Sequence, residues 1–269
     1  MKSIIQPPFA APEEFVMALK PEGRGCERWV IFSENKLLIH STDKTLPDRC
    51  PFALESNLYI GMYEGNHLFT SRIKEPKTAP SGWEWSDLRQ LHGLMDDRSF
   101  ALSGRALQLI NWQQKNTYCG SCGEKMTHRE HERCLECLAC GHLSYPNLSP
   151  VTMALVRRED KILLARSPHF PDNMYSVLAG YVDPGETLEQ CVAREVFEEV
   201  GLRVKNIRYF GSQPWPFSHS LLMAFCCDWE AGEIEIDPTE IEDANWYEKG
   251  NLPEIPSPLS IARLLIDSF

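Results

Sequence analysis

The sequence of 269 residues lacks two features that would tie it to a membrane or to nucleic acid at large. No apolar run reaches the roughly 18 residues that a membrane-spanning helix needs. Basic residues are too few to balance the acidic ones, and the resulting net charge of −11 argues against nonspecific adhesion to nucleic acid or anionic lipid. Prolines and glutamates interrupt the first residues, where a signal peptide has an apolar core. We therefore expect a cytoplasmic protein with no membrane partner.

Cysteine is plentiful, and its distribution indicates a metal site. Five of the ten cysteines fall between Cys119 and Cys140, and a local cluster in a cytosolic chain indicates metal before disulfides. Two C-x2-C-G pairs, separated by fourteen residues, can each form a tight turn in which the glycine lets the backbone fold beneath the sulfurs. Four thiolates form a closed structural zinc site. We predict one Zn²⁺ per chain, held by Cys119, Cys122, Cys137 and Cys140.

Other residues near the cluster offer competing ligands. Cys134 would form an alternative C-x2-C pair with Cys137, but only Cys140 is followed by a glycine as in the first pair. Cys134 is therefore predicted to be a free thiol. Because four cysteines already complete the coordination shell, three nearby histidines are predicted to be ordinary surface residues: His128, His131 and His142.

An acidic helix is predicted within residues 180–202, which read GYVDPGETLEQCVAREVFEEVGL. Pro184-Gly185 is a turn dipeptide ahead of it, and Gly201 offers a left-handed cap after it. Apolar residues recur at three- and four-residue steps and predict a buried stripe, formed by Leu188, Cys191, Val192, Val196 and Val200.

Three carboxylates on this helix share one face. Glu195, Glu198 and Glu199 stand at i, i+3 and i+4, and like charges at that spacing destabilise a helix unless a positive charge lies among them. Mg²⁺ and Mn²⁺ prefer carboxylate and water oxygens. A solvated acidic face is the alternative interpretation, but the spacing of every position within the motif favours a catalytic cation site.

The segment resembles the Nudix box, G-x5-E-x7-R-E-U-x-E-E-x-G-U with U apolar, and the chain is similar to the Nudix hydrolases. The resemblance implies an α/β/α sandwich with a mixed sheet. It also implies hydrolysis of a nucleoside diphosphate linked to another group, with Mg²⁺ or Mn²⁺ held by the glutamates. Arg194 is interpreted as an internal counter-charge that holds the carboxylates in place.

A second motif narrows the substrate. Residues 212–220 read SQPWPFSHS, with two prolines and two aromatic rings that suit stacking on a nucleobase or nicotinamide. Taken alone, a loop that packs its aromatics into the core is the simpler interpretation. The segment is similar to the SQPWPFPxS signature of the NADH pyrophosphatases (NudC-type enzymes, which also remove NAD caps from RNA). Ser218 replaces a proline of that signature.

This closer resemblance implies hydrolysis of the NAD(H) pyrophosphate to NMN(H) and AMP, with Mg²⁺ or Mn²⁺ bound. It also implies removal of NAD caps from RNA and a homodimer. It implies catalytic roles for Glu195, Glu198 and Glu199, with Glu199 either a cation ligand or the base. Glu240 is implied as a fourth ligand, although Glu242 and Asp243 are its neighbours. The implied substrate-binding residues are Tyr145, Ala179, Tyr181, Gln213, Pro214, Trp215, Pro216, Phe217, Ser218, His219, Ser220, Glu240 and Ala262.

Two alternatives stay open at this point. One is a Nudix hydrolase of ADP-ribose or diadenosine polyphosphates. The other is a non-enzymatic nucleotide or RNA sensor, which the complete set of box carboxylates disfavours. A local basic patch could offset the acidic net charge toward RNA, and it would be formed by Arg157, Arg158, Lys161 and Arg166.

We predict three domains: an α+β domain over residues 1–115, a zinc ribbon over 116–147 and the Nudix domain over 148–269. Short apolar runs that alternate with turn residues predict strands, and apolar residues at helical spacing predict helices. The sequence shows no long internal repeat. The predicted strands are 28–32, 36–40, 57–61, 151–156, 161–166, 203–211 and 221–229, the predicted helices are 97–114 and 258–266, and a loop is predicted over 75–81.

Overall fold

The computed structural model describes residues 7–54, 56–73 and 78–269, and it divides into two compact units. One comprises Phe9–Asn147 together with Pro216–His219, and the other comprises Leu148–Trp215 and Ser220–Phe269 with Pro7 and Pro8. The residues of the predicted zinc ribbon therefore belong to the same unit as the amino-terminal strands. The predicted division into three domains remains a prediction.

The unit that begins at Phe9 contains a six-stranded mixed sheet and a long helix. The strand order is β1-β4-β5-β2-β3-β6, and β2 and β5 pair in parallel while the other neighbours are antiparallel. Asp96 caps the helix, since its carboxylate accepts the backbone N–H groups of Arg98 and Ser99. The elements are β1 (Phe15–Val16), β2 (Glu27–Ser33), β3 (Lys36–His40), β4 (Leu58–Tyr63), β5 (Asn66–Ile73), β6 (Trp83–Asp87), a 3-10 turn (Leu88–Leu91) and α1 (Asp97–Lys115).

A small antiparallel sheet follows α1 in the same unit. Its three strands are β7 (Met126–His128), β8 (Leu135–Cys137) and β9 (Leu143–Ser144), and β8 lies in the middle. Trp112, Met126 and Leu135 form its own apolar cluster with two of the cysteines. A cluster this small needs additional stabilisation, which is the usual role of a structural metal.

The other unit contains a second mixed sheet with a helix on each face. Its strand order is β13-β14-β10-β11-β15, with β12 paired to β10, and only β10 and β14 run parallel. The elements are β10 (Ser149–Arg158), β11 (Lys161–Arg166), β12 (Leu178–Tyr181), α2 (Leu188–Val200), β13 (Arg203–Trp215), β14 (Ser220–Ala231), β15 (Asp243–Glu248) and α3 (Ile261–Asp267). Among the described residues, no helix combines the length and apolar character that crossing a membrane requires.

Alternate residues of β10 show how the two faces of this sheet are covered. Met153 and Leu155 pack in one cluster with residues of α3, whereas Ala154 and Val156 pack in the other cluster with residues of α2. Successive strand residues point to opposite faces, so α2 and α3 lie on opposite sides of the sheet. This arrangement confirms the predicted α/β/α sandwich with a mixed sheet.

The two large sheets share one topology. The order β4-β5-β2-β3-β6 repeats the order β13-β14-β10-β11-β15, and in both sheets the second and third strands are the parallel pair. A helix follows the last strand in each. Between β3 and β4, however, the described residues form no helix, whereas α2 lies at the corresponding point of the other sheet. The repeat exists in the fold, although the sequence shows none.

Several predicted boundaries differ from the structure. The strand predicted over 203–211 extends to Trp215, so residues 212–215 belong to β13, Pro216–His219 form the turn, and Ser220 begins β14. The loop interpretation of this motif is therefore wrong for its two ends. The closing helix starts at Ile261, where Ser260 caps it, instead of at residue 258. Of the loop predicted over 75–81, residues 75–77 lie outside the described residues. The strands that were not predicted are β1, β5, β6, β7, β8, β9, β12 and β15.

Candidate active site

Helix α2 begins and ends at residues suited to those positions. The Thr187 hydroxyl accepts the backbone N–H of Gln190, whose side-chain oxygen accepts the Thr187 N–H, so both form a capping box. At the other end Gly201 has φ 72° and donates its N–H to Phe197 O. This confirms the left-handed cap predicted from the sequence.

The three motif carboxylates of α2 have different environments. Glu198 is exposed, Glu195 is largely covered, and Glu199 is 5% exposed beside Val196 and Val200. Glu199, which was predicted on the acidic face of α2, is therefore buried together with the apolar stripe of the same helix. A solvated acidic surface does not describe this arrangement.

Burial dominates the electrostatics of Glu199. Loss of hydration, with the nearby charges of Glu195, Glu240 and Glu198, raises the pKa of Glu199 to about 8. Its Oε2 atom is buried and has no hydrogen-bond partner among the described residues. Burial also raises the pKa of Glu195. A buried carboxylate without a donor is costly unless a cation or a proton compensates it.

Arg194 links the other carboxylates of the motif. Its Nη1 donates to Glu195 Oε1 at 2.8 Å and to Glu198 Oε2 at 2.9 Å. Its Nε and Nη2 donate to the two oxygens of Glu186 at 2.5 and 2.9 Å, and these bonds lower the pKa of Glu186 to about 2. Nη2 also donates to Tyr181 O. The predicted role of Arg194 as an internal counter-charge is confirmed by these contacts.

Gly180 is required because the Glu195 carboxylate lies against its backbone. A Cβ atom built on Gly180 would lie 1.9 Å from Glu195 Cδ and 2.1 Å from Oε1. Gly180 is in β12, which pairs with β10, so the backbone has little freedom to move away. The first glycine of the motif is thus explained by a close approach.

The loop after β14 brings a fourth glutamate to the helix. Backbone bonds from Glu235 N to Val200 O and from Asp237 N to Glu199 O, both 3.0 Å, fix this loop to the end of α2. Glu240 follows, and it lines one cavity of about 440 Å³ with Glu195, Glu198 and Glu199. The remaining lining residues are Ala179, Gly180, Tyr181, Asp183, Arg194 and Asp237. Asp183 and Asp237 were not singled out from the sequence, where single aspartates in turns carry no distinguishing pattern.

The neighbours of Glu240 have other partners. Glu242 forms an ion pair with Arg166, and Asp243 accepts the Tyr175 hydroxyl at 2.6 Å. Of the three acidic residues that the sequence left as alternatives, Glu240 is the one that lines the carboxylate cavity.

The residues of this cavity fit divalent cations. Four glutamates supply hard oxygen ligands, one buried oxygen has no partner, and a single guanidinium is the only basic group among the lining residues. Mg²⁺ and Mn²⁺ take such ligands together with water and phosphate oxygens. The carboxylate cavity can therefore hold cations against a phosphorylated substrate.

The second candidate metal centre is formed by four cysteines. The sulfur atoms of Cys119, Cys122, Cys137 and Cys140 lie within 4.8 Å of one another. The Sγ–Sγ distances are 3.6 Å for Cys119–Cys140 and 3.4 Å for Cys122–Cys137. A tetrahedral site with Zn–S bonds of about 2.3 Å separates its sulfurs by roughly 3.8 Å, which is close to these values.

The local backbone explains this cysteine cluster. Gly123 and Gly141 both have positive φ, 82° and 76°, and each donates its N–H to the carbonyl of the first cysteine of its pair. The turn role predicted for these glycines is confirmed. Cys134 is buried outside the cluster with its thiol on Leu135 O, as predicted. The described histidines do not belong to the cluster either.

Comparison with known proteins identifies the family. Residues 147–264 match the NUDIX domain, and residues 26–112 match the "NADH pyrophosphatase-like rudimentary NUDIX domain". A protein of Chromobacterium violaceum named NAD-capped RNA hydrolase NudC is 41% identical over 96% of this chain and 95% of its own length. The chain belongs to the Nudix hydrolase family. Relatives with the same name from Stutzerimonas stutzeri and Pseudomonas aeruginosa are each 46% identical, over 82% and 78% of this chain and 80% and 75% of their own lengths.

Some residues predicted to bind substrate lie in the Nudix unit. Ala179 and Tyr181 line the carboxylate cavity, and the Tyr181 side chain is 55% exposed. Gln213 is fully buried: its Nε2 donates to Pro8 O and Leu259 O, and its Oε1 accepts the N–H of Ile261 at the start of α3. Its side chain thus anchors α3. Pro214 and Trp215 end β13, Trp215 packs against the α3 face of the sheet, and Ser220 and Ala262 are buried.

Other predicted substrate residues belong to the unit that begins at Phe9. Tyr145 is exposed, and its hydroxyl donates to Glu132 at 3.1 Å. The ring of Phe217 packs edge-on against Phe9, and the Arg89 guanidinium lies 4.3 Å from its centroid. Pro216, Ser218 and His219 complete the turn, in which His219 has φ 54°. Substrate contact by all these residues remains a prediction.

Two of the four cations of the basic patch expected on the Nudix unit form ion pairs with carboxylates. Arg166 pairs with Glu242 and Asp172, and Lys161 pairs with Glu248. Arg158 lies 4.1 Å over the ring of Trp229. A ring contact leaves the guanidinium charge of Arg158 in place, so a contribution of this patch to RNA binding remains a prediction.

Proposed function

We propose that this Nudix hydrolase cleaves the pyrophosphate of NAD(H), giving NMN(H) and AMP, and removes NAD caps from RNA by cleaving the same bond. The single observation that carries the proposal is the cavity in which Glu195, Glu198, Glu199 and Glu240 converge beside Gly180. The name shared by the relatives supports the choice of substrate.

The four glutamates are assigned to holding Mg²⁺ or Mn²⁺. Bound divalent cations neutralise phosphate charge and lower the pKa of a coordinated water. We assign Glu199 to cation binding because its Oε2 is buried and no described residue forms a hydrogen bond with it. Arg194 holds Glu186, Glu195 and Glu198 in place by direct hydrogen bonds.

The reaction itself is a hydrolysis. The water oxygen forms a bond to one phosphorus, the bond from that phosphorus to the bridging oxygen breaks, and the bridging oxygen leaves with the other nucleotide. Water gives up a proton to a carboxylate of the cavity. Tyr181, exposed at the edge of this cavity, offers a ring face for a nicotinamide or adenine base.

The cysteine cluster is assigned to one structural Zn²⁺ per chain. A closed four-thiolate shell leaves no position for substrate, so the ion stabilises the short strands β7–β9. We also propose a homodimer, which light scattering would report as twice the mass of one chain.

Product analysis tests the reaction. The purified protein is incubated with NADH and Mg²⁺ or Mn²⁺, and the products are separated by chromatography. We expect NMNH and AMP in equal amounts, and Glu199→Gln should lower the rate by about 1,000-fold or more. The matched control is Glu189→Gln, since Glu189 is an exposed glutamate of α2 that does not line the carboxylate cavity.

Competing substrates are compared in the same assay. Faster turnover of ADP-ribose or diadenosine polyphosphates than of NADH and NAD-capped transcripts would contradict the proposed specificity. Near-full NADH turnover by Glu199→Gln would contradict the assigned site. Tight nucleotide binding without any product would indicate a sensor instead of an enzyme.

A further inference from the structure

A second cavity, of about 520 Å³, lies within the unit formed by Phe9–Asn147 and Pro216–His219. It shares no residue with the carboxylate cavity. Strand β5, helix α1 and the ribbon strands supply its apolar walls, through Ile73, Ile110, Met126 and Leu135. Its size is in the range of sites for small ligands.

The charge of this second cavity is opposite to that of the protein. Its lining includes Arg72 and Lys125, and none of the described lining residues is a carboxylate. Among the described residues, no acidic side chain forms an ion pair with either of these two cations. In a chain with net charge −11, two cations at one cavity that have no ion pair within the described part of the chain favour an anionic ligand.

Arg72 is held in position by neutral groups. Its Nη2 donates to Asn111 Oδ1 at 2.8 Å and its Nη1 donates to Gln114 Oε1. Its Nε is buried and has no acceptor among the described residues. Amide oxygens orient the guanidinium but leave its positive charge in place, and a partly buried charge of this kind is stabilised by a bound anion.

The remaining polar groups of the cavity are neutral donors and acceptors. Burial and the charge of Arg133 lower the pKa of His128, which favours its neutral imidazole. Gln113 Nε2 lies 3.2 Å from His128 Nε2 and donates to it, while Gln113 Oε1 is buried and has no partner in the part of the chain that the structure describes. Amide groups beside apolar walls suit the edge and face of a nucleobase.

We propose that this cavity is a second binding site, for a phosphate-bearing small molecule of mononucleotide size. Arg72 and Lys125 would take the phosphate, and Gln113 and the apolar walls would take the base. The site is independent of the proposed hydrolysis, because it uses none of the residues of the carboxylate cavity.

Calorimetry with AMP tests the site in the full-length protein. No Mg²⁺ or Mn²⁺ is added, so that no such cation links AMP to the glutamates, and no chelator is used, so that the proposed structural Zn²⁺ is retained. We expect saturable binding by the wild type, and Arg72→Met and Lys125→Met should each weaken it about tenfold or more. The control is Lys36→Met, an equal loss of charge at an exposed residue outside the cavity, which should leave the affinity unchanged.

NMR of methyl-labelled methionine locates the ligand. The Met126 methyl, which lines the second cavity, should shift on AMP addition, and Met153, in the core of the Nudix sheet, should not. Inorganic phosphate should compete, since the phosphoryl group is the proposed anchor. Three results would overturn the proposal: no saturable binding at about 10 mM AMP, equal affinity in Arg72→Met, or no competition by phosphate. Hydrolysis of NADH is measured separately, so either proposal can fail alone.

Discussion

Replacing Glu199 by glutamine should stabilise the protein in the absence of cations and weaken it in their presence. Glutamine has nearly the same shape as glutamate but no charge. The wild-type side chain is 5% exposed, and its raised pKa means that the folded state holds a proton which the unfolded state has already lost. Between the pKa of Glu199 in the unfolded protein and its pKa in the folded protein, the free energy of unfolding of the wild type therefore falls as pH rises.

The size of the effect follows from the pKa values. Burial raises the pKa of Glu199 from 4.5 to about 8, and each unit corresponds to about 1.4 kcal/mol. Below the unfolded pKa the penalty is absent, and above the folded pKa it is complete. Between pH 5 and pH 8 the wild type should lose up to about 3 kcal/mol relative to Glu199→Gln, an upper limit because water entering the cavity relaxes the penalty.

Urea unfolding of both proteins in EDTA at several pH values measures this difference. Histidines and the other carboxylates titrate in both proteins, so subtraction isolates Glu199. Addition of Mn²⁺ at about 1,000 times its Kd should reverse the order, since such an excess stabilises the folded state by about 4.1 kcal/mol, which exceeds the penalty. Glu189→Gln should follow the wild type throughout.

Two outcomes would refute this reasoning. In EDTA at pH 8, Glu199→Gln would be no more stable than the wild type, or the difference between them would not change with pH. Either result would mean that the Glu199 carboxylate is hydrated in the folded protein and does not need a cation.

Three further predictions concern the two metal centres. Gly180→Ala should lower NADH turnover by about 100-fold with the fold intact, because a Cβ would displace the Glu195 carboxylate, and unchanged kinetics would contradict the close approach. Glu240→Gln should raise the Mn²⁺ concentration needed for half-maximal activity about tenfold, which a metal titration measures. Cys140→Ser should lose the single zinc ion by elemental analysis and lower the melting temperature, whereas Cys134→Ser should keep the ion.

The two large sheets share one topology, but the carboxylate cavity is lined by residues of the Nudix unit alone. Both sheets have the same strand order. In the Nudix sheet α2 lies between β11 and β13, whereas the described residues between β3 and β4 form no helix. The four glutamates proposed to bind cations are thus confined to one copy. Described residues of the other copy line the second cavity together with residues of the ribbon.

Much of the site could be predicted because it depends on short-range spacing. Helical periodicity placed Glu195, Glu198 and Glu199 together, and Gly201 marked the end of their helix. The cysteine pairs were equally local, since each turn is closed by bonds within a few residues. Predicted boundaries were less accurate where tertiary contacts extend an element. Strand β13, for example, continues through residues 212–215 by pairing with β14.

The amino-acid sequence by itself determined the Nudix helix, its caps, the carboxylates of one helix face and the four clustered cysteines, because these depend on residue type and spacing along a few turns of chain. Only the tertiary structure decided that Glu240, instead of Glu242 or Asp243, joins the helix carboxylates, and that Gln213 anchors α3. It also revealed the carboxylate against Gly180 and the hydrogen bond from Arg72 to the Asn111 amide oxygen. Those outcomes depend on contacts between residues far apart in the chain, which spacing alone does not encode.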